Sequence, residues 1–305
     1  TGSTGGTNTA IINTVTLIGP SSGSTAFTVA PNAIDFGTTA IAFANFSAIN
    51  LDPAAGTNTL LIQGNPTAAD AFVATSSSVQ FNSVAINFTD LSTVTLSPGT
   101  GTDSLAVNSG SVTIAPQIAG AGILTRNFSS ISIATGGSAI FTTAAQHTDR
   151  TLVETASLSV TGQLDLGGND LVIHNGSLPA VTALLATGLA NGQWNGKGIA
   201  SAAAHTNTTH LTTLGIIPNT LYGGTGQPAF DGTDPLPTDI LVKYTWYGDA
   251  NLDGKVDGSD YSRIDSALQS GATGWYNGDF NYDGLVNGTD YALVDNAFNQ
   301  QGAGL

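Results

Sequence analysis

Short runs in which apolar residues alternate with Thr, Ser or Asn follow one another from about position 10 to about position 173, separated by Gly, Pro, Asn and Ser. Thr14-Val15-Thr16-Leu17, Ala48-Ile49-Asn50-Leu51, Thr93-Val94-Thr95-Leu96 and Ser130-Ile131-Ser132-Ile133 are examples. Side chains two apart share one face of a strand, so each run reads as a half-buried strand. Stretches suited to an amphipathic helix are nearly absent here. The region is expected to be all-β.

The runs also recur. Phe36, Ile41, Phe43, Phe46, Ile49, Leu51, Pro53, Gly56, Asn58, Leu60 and Ile62 are matched 45 residues later by Phe81, Ile86, Phe88, Leu91, Val94, Leu96, Pro98, Gly101, Asp103, Leu105 and Val107, without a gap. A partial copy starts at Phe128, and degenerate ones lie near 15–29 and 158–160. Units that cannot bury their own apolar face alone must stack on their neighbours. A parallel β-solenoid-like domain, each copy making one large coil or two small ones, satisfies this. A β-sandwich built from duplicated hairpins is the alternative, because a period does not reveal strand direction. The recurring Phe positions, including Phe81, Phe88 and Phe128, read as core.

Composition narrows the functional classes. Six Lys and Arg face 21 Asp and Glu in 305 residues, a formal net charge of −15. Phosphate binding needs cations, so nucleic acid is excluded as a partner, and anionic membrane surfaces are disfavoured for the same reason. Without Cys there are no disulfides, thiolate metal sites or Cys nucleophiles. There is no Met and no apolar run long enough for membrane insertion. A processed, secreted product at the cell surface is expected.

Along the chain, 1–17 reads as an N-terminal extension able to add a strand to a neighbouring subunit, and 18–177 as the β-repeat domain. Within 178–240, the stretch 178–190 is the first plausible helix, with Pro179 in its first turn and Gly192 beyond its end. The remainder, with Trp194, is expected to cap the β stack or to serve as a linker, and 239–247 reads as a strand. The turns around Asp103 and Asn169-Asp170 partly resemble calcium-binding β-roll turns, but without tandem repetition they read as tight turns.

The unit 241–305 carries the most specific pattern. Asp249, Asn251, Asp253, Asp257 and Asp260 occupy positions 1, 3, 5, 9 and 12 of a loop, with Gly254 at position 6 and the Lys255 carbonyl at position 7. Asp279, Asn281, Asp283, Asn287 and Asp290, with Gly284 and the Leu285 carbonyl, repeat it 30 residues later. Calcium takes six to eight oxygen ligands, and this spacing wraps one backbone around one ion, so two ions are expected. Val256 and Val286 at position 8 are expected to pack together. Each loop is followed by a short helix with one apolar stripe: Tyr261, Ile264 and Leu268 in the first, Tyr291, Val294 and Phe298 in the second.

A duplicated loop–helix unit with no entering helix resembles the type I dockerin module, over roughly 247–299. The preceding phrases GNDLVIHNG and WYGDANLDGKVDGSDY resemble large secreted surface proteins of planctomycete type that end in such modules. The resemblance implies calcium-dependent folding and docking onto a cohesin-like partner through loop positions 10 and 11. Those positions are Gly258 and Ser259 in the first copy and Gly288 and Thr289 in the second. Gly at position 10 departs from the usual hydroxylated residue.

No pair of carboxylates stands out for glycoside hydrolysis, and there is no nucleophile elbow or phosphate loop. A non-enzymatic protein is expected. With few charges and much Ser, Thr, Gly and Ala, it reads as a calcium-stabilised structural protein that self-assembles head-to-tail into an extracellular fibre, sheath or matrix. The alternative is a carbohydrate-binding or adhesin module anchored to a cohesin-like partner, with a glycan as its ligand.

Overall fold

The computed structural model describes residues 14–18, 24–36, 39–42, 47–52, 57–115, 120–222 and 229–305, without the side chains of residues 36 and 39–42. Residues 1–13 of the extension, and Phe43, Phe46, Pro53 and Gly56 of the repeat, lie outside the described residues, as do the side chains of Phe36 and Ile41.

Two sheets form the β region. The first has twelve strands among the described residues. In spatial order it runs Thr14–Ile18, Ala48–Asp52, Val84–Phe88, Ser78–Phe81, Ala71–Ala74, Thr102–Val107, Leu124–Ile133, Thr151–Thr155, Asp170–Ile173, Ile240–Trp246 and Thr212–Pro218, with Leu158–Val160 also paired to Leu124–Ile133. The second runs Gly198–Ala200, Gln163–Asp165, Gly137–Phe141, Gly110–Ile114, Thr93–Ser97, Thr59–Gln63, Ala26–Ala30, Ala33–Phe36 and Thr39–Ala42. Most pairs are parallel, with antiparallel hairpins at Ala26–Ala42 and Ala71–Phe88 and an antiparallel end at Thr212–Pro218. An all-β region of two mixed sheets, followed by a small helical module, is the architecture.

The registers correct the stacking expected from the 45-residue period. Thr14 pairs with Ala48, and Ala48 with Ala85; Ala26 pairs with Thr59, and Thr59 with Thr93. Stacked strands are therefore 33 to 37 residues apart in this part of the chain. The matched segments 48–52 and 93–97 fall in different sheets, as do 59–63 and 102–107. What recurs is a strand–turn–strand pattern. Thr14–Leu17 pairs with Ala48–Leu51 of its own chain and forms one end of the first sheet.

The recurring Asn58 and Asp103 have a structural job. Asn58 Oδ1 accepts the Thr25 N–H at 2.9 Å and Asp103 Oδ1 accepts the Asp70 N–H at 2.9 Å, each 33 residues away in sequence. Asn169 does the same for Thr151 at 2.8 Å. All three are buried. They satisfy backbone donors at the turns between sheets, where no ladder partner exists. Phe81, Phe88 and Phe128 lie in the core beneath them.

Helix α1 (Leu178–Leu189) forms where Pro179 allows a start, and ends at Ala190 in the left-handed conformation. It packs on the Gly198–Ala200 strand. Helix α2 (Ala202–Thr206) is capped by Ser201, whose Oγ accepts the Ala204 N–H. Thus 178–240 supplies strands to both sheets. Trp194 is 1% exposed and anchors this part of the core.

Candidate metal centre

The C-terminal module begins where the Ile240–Trp246 strand runs into the first twelve-residue loop. Helices α3 (Gly258–Ser270) and α4 (Gly288–Gln300) follow the first and second loops. Asp257 and Asn287, at loop position 9, are the helix N-caps, and Asp260 and Asp290 complete capping boxes. Loop position and helix cap are thus one residue, which fixes each loop rigidly to the helix after it.

The hydrogen bonds repeat position for position. Asp249 Oδ2 accepts the Gly254 N–H at 2.9 Å, and Asp279 Oδ2 the Gly284 N–H at 3.1 Å. The Asp253 N–H reaches Asn251 Oδ1 at 3.1 Å, and the Asp283 N–H reaches Asn281 Oδ1 at 2.9 Å. Asp253 and Asp283 accept the N–H of Lys255 and Leu285 at 3.0 and 2.8 Å. Asp260 binds the N–H groups of Ala250 and Asp257, and Asp290 those of Phe280 and Asn287, all at 2.9 to 3.0 Å. Gly254 and Gly284 adopt φ of +87° and +83°, the turn required at position 6.

The electrostatics of both loops call for a cation. Asp249 is fully buried, and burial, reinforced by the charges of Asp260 and Asp253, pushes its carboxyl up to about 8 despite the Thr245 hydroxyl it accepts. Burial raises Asp260 to about 6, and burial together with the Asp290 charge does the same for Asp279. Asp279 Oδ1 is buried without a hydrogen-bond partner. Burying a carboxylate oxygen without a donor costs several kcal/mol, on the order of 1–3 even for a neutral group. A divalent cation at the loop centre would supply the missing partner, so this donor set fits calcium. No three or more His, Cys, Asp or Glu side chains converge on one metal position among the described residues. A candidate oxygen set would draw also on Asn251, Asn281 and the carbonyls of Lys255 and Leu285.

Val256 is buried in the core and Val286 is half-buried against it, while the Val256 N–H and carbonyl are held by the Gln301 amide at 2.8 and 2.6 Å. The apolar stripes are narrower than expected: Ile264, Ala267, Val294 and Ala297 are buried, while Leu268 and Phe298 are about half exposed. Lastly, Tyr261 and Tyr291 join the helices as reciprocal donors, to Asp295 at 2.6 Å and to Asp265.

Sequence reasoning passed over position 4. Leu252 and Tyr282 both sit at φ +60°, a conformation that favours Gly or Asn, and both pack inward. The available signal was an apolar residue in the middle of each Asp/Asn/Gly loop.

Residues 247–299 match the dockerin type I domain family, so the chain carries a dockerin-type C-terminal module. No curated protein and no solved structure matches the chain. No helix among the described residues is long and apolar enough to cross a membrane.

Proposed function

We propose that the chain is a secreted, non-catalytic adaptor whose C-terminal module, 241–305, binds two calcium ions and docks the β region onto a cohesin-like partner. In this reading Asp249, Asn251, Asp253, Asp257 and Asp260, with the Lys255 carbonyl, hold one ion. Asp279, Asn281, Asp283, Asn287 and Asp290, with the Leu285 carbonyl, hold the other. The observation that carries it is the duplicated loop with a buried carboxylate at position 1, most plainly Asp279, whose Oδ1 has no hydrogen-bond partner.

Docking is supported by what the module leaves open. Gly258, Gly288 and Thr289 are exposed, and a Cβ added at either glycine would meet nothing within 4 Å. Position 10 of both loops and Thr289 are therefore open to a partner, with Ser259 half-buried beside Asn251, and glycine at position 10 admits a close backbone approach. Nine Asp against three basic residues in 241–305 give the module a negative surface, which suits a basic rim on that partner.

The β region is the cargo, with its two sheets as opposite walls of a stacked coil. An adhesin role suits it better than a sugar-stacking one, because Trp194 and Trp275 are both buried. Docking takes precedence over fibre formation because residues 247–299 match the dockerin type I domain family.

Isothermal titration of the full chain should show two calcium ions bound. Asp249→Ala and Asp279→Ala together should abolish binding, and capture by immobilised type I cohesins should require calcium. A chain that binds no calcium would overturn the reading.

A further inference from the structure

The Thr212–Pro218 strand pairs on one side with Ile240–Trp246 and ends the first sheet on the other. Such an edge presents unpaired N–H and C=O groups, and proteins cover or disrupt it. Here the calcium module covers it. Leu214 O, on the outer side, accepts the Tyr282 hydroxyl at 2.6 Å. Gly215 leaves just enough space for the module: a Cβ there would sit 2.6 Å from Leu252 Cδ2 and 2.7 Å from the Trp275 ring.

Two of the module's inserting residues occupy loop position 4. Leu252 comes from the first loop and Tyr282 from the second, each at φ +60°. Trp275, just before the second loop, ties the pair together. Its ring stacks on Tyr282 with centroids 5.6 Å apart, and its Nε1 donates to Asp249 O at 2.8 Å. From the β region, Trp194 meets Tyr282 edge-on at 6.4 Å and donates to the Tyr247 hydroxyl at 3.3 Å. Position 4 keeps its left-handed backbone while its loop is wound, and an ion held at positions 1, 3 and 5 would stabilise that winding.

We propose that calcium in the two loops latches the module onto the Thr212–Pro218 edge through Leu252 and Tyr282, and that calcium removal releases this latch. The inference rests on the calcium reading above. It adds a second face to the module: position 4 holds the module's own β region while position 10 of both loops and Thr289 stay open to another protein.

Hydrogen exchange of the full chain, followed by mass spectrometry with calcium and with excess EGTA, tests it. Peptides covering 212–218 should exchange at least about tenfold faster in EGTA, an opening change of about 1.4 kcal/mol. Peptides covering 102–107 should not change. In calcium, Tyr282→Phe should still bind two ions yet speed exchange in 212–218, because it removes one hydroxyl and leaves the donor set intact. Gly215→Val should block seating with the same stoichiometry. Unchanged 212–218 protection in EGTA, with two ions bound and released by titration, would overturn the latch alone. Titration showing no bound calcium would overturn the latch and the calcium reading together.

Discussion

At the scale of single residues, a buried cluster of charges lies outside the loops. Arg150 donates to Asp170 at 2.8 Å and to Asp231; Lys243 lies 3.5 Å from Asp170 and 4.0 Å from Asp231; and the Tyr244 N–H reaches Asp170 at 2.7 Å. Burial alone would raise Asp170, but Lys243, the hydrogen bond from Asp231, Arg150 and His147 outweigh it and hold Asp170 down at about 2. Burial and then the Asp170 charge push Asp231 up to about 7. Below pH 4 the unfolded chain binds more protons than the native pair, so the Asp170 contribution is lost as pH falls from about 4 to 2. Between pH 4 and 7 the native pair keeps a proton that the unfolded chain has released, so stability contributed by Asp231 declines as pH rises through that window. With saturating calcium, urea midpoints from pH 4.5 to 8 should fall for the parent chain relative to Asp231→Asn. Parallel pH profiles for the two would refute the assignment. Asp170 was visible in the sequence as a turn residue beside Gly, but its partner Asp231 lies some 60 positions away. No local pattern could have joined them.

At the scale of elements, legibility followed the range of the physics involved. Strand type was readable because alternation is a property of neighbours, and α1 was readable from Pro179 and its apolar run. The two loops and their helices were readable because each set of candidate ligands comes from twelve consecutive residues. Stacking order was not, because the apolar alternation and the turn Asn or Asp recur in both sheets, so a sequence match need not mean a spatial one. Close packing between elements was equally hidden. Gly188 of α1 lies so near the Gly198–Ala200 strand that an added Cβ would stand 1.7 Å from Ile199 O. In a free helix Gly188→Ala would gain about 1 kcal/mol from propensity. Here the backbone clash should dominate, lowering the urea midpoint at a cost of about 1–3 kcal/mol of the kind overpacking produces. A midpoint equal to or above the parent's would show that α1 shifts freely on the sheet. The Asx turns give a companion case. Asn169 accepts the Thr151 N–H and donates to Leu166 O at 2.7 Å while fully buried, so Asn169→Ala should cost about 1–3 kcal/mol by leaving those groups unpaired.

At the scale of the whole molecule, one apolar core runs from Leu17 to Ala297 and includes Leu252, Trp275, Phe280 and Val294 of the module. A unit tethered by a flexible linker would unfold independently of its neighbour; a module that shares a core with the β region should unfold with it. Calcium bound only to the folded loops stabilises them by mass action, by about 1.4 kcal/mol per site for each tenfold rise in free calcium above the dissociation constant. Because the core is shared, that stabilisation should pass through Leu214, Gly215 and Trp194 to the β region. Calorimetry in excess calcium should therefore give one transition whose midpoint climbs with calcium concentration. In EGTA the nine Asp of 241–305 repel one another with no bound cation, and the module should be lost before the β region melts, which then gives a separate transition at a calcium-independent temperature. Added NaCl should narrow the gap by screening the exposed carboxylates but should not close it, because Asp249, Asp260, Asp279 and Asp290 are buried, where salt screens poorly. Two transitions persisting at saturating calcium would mean that the shared core does not couple the module to the β region.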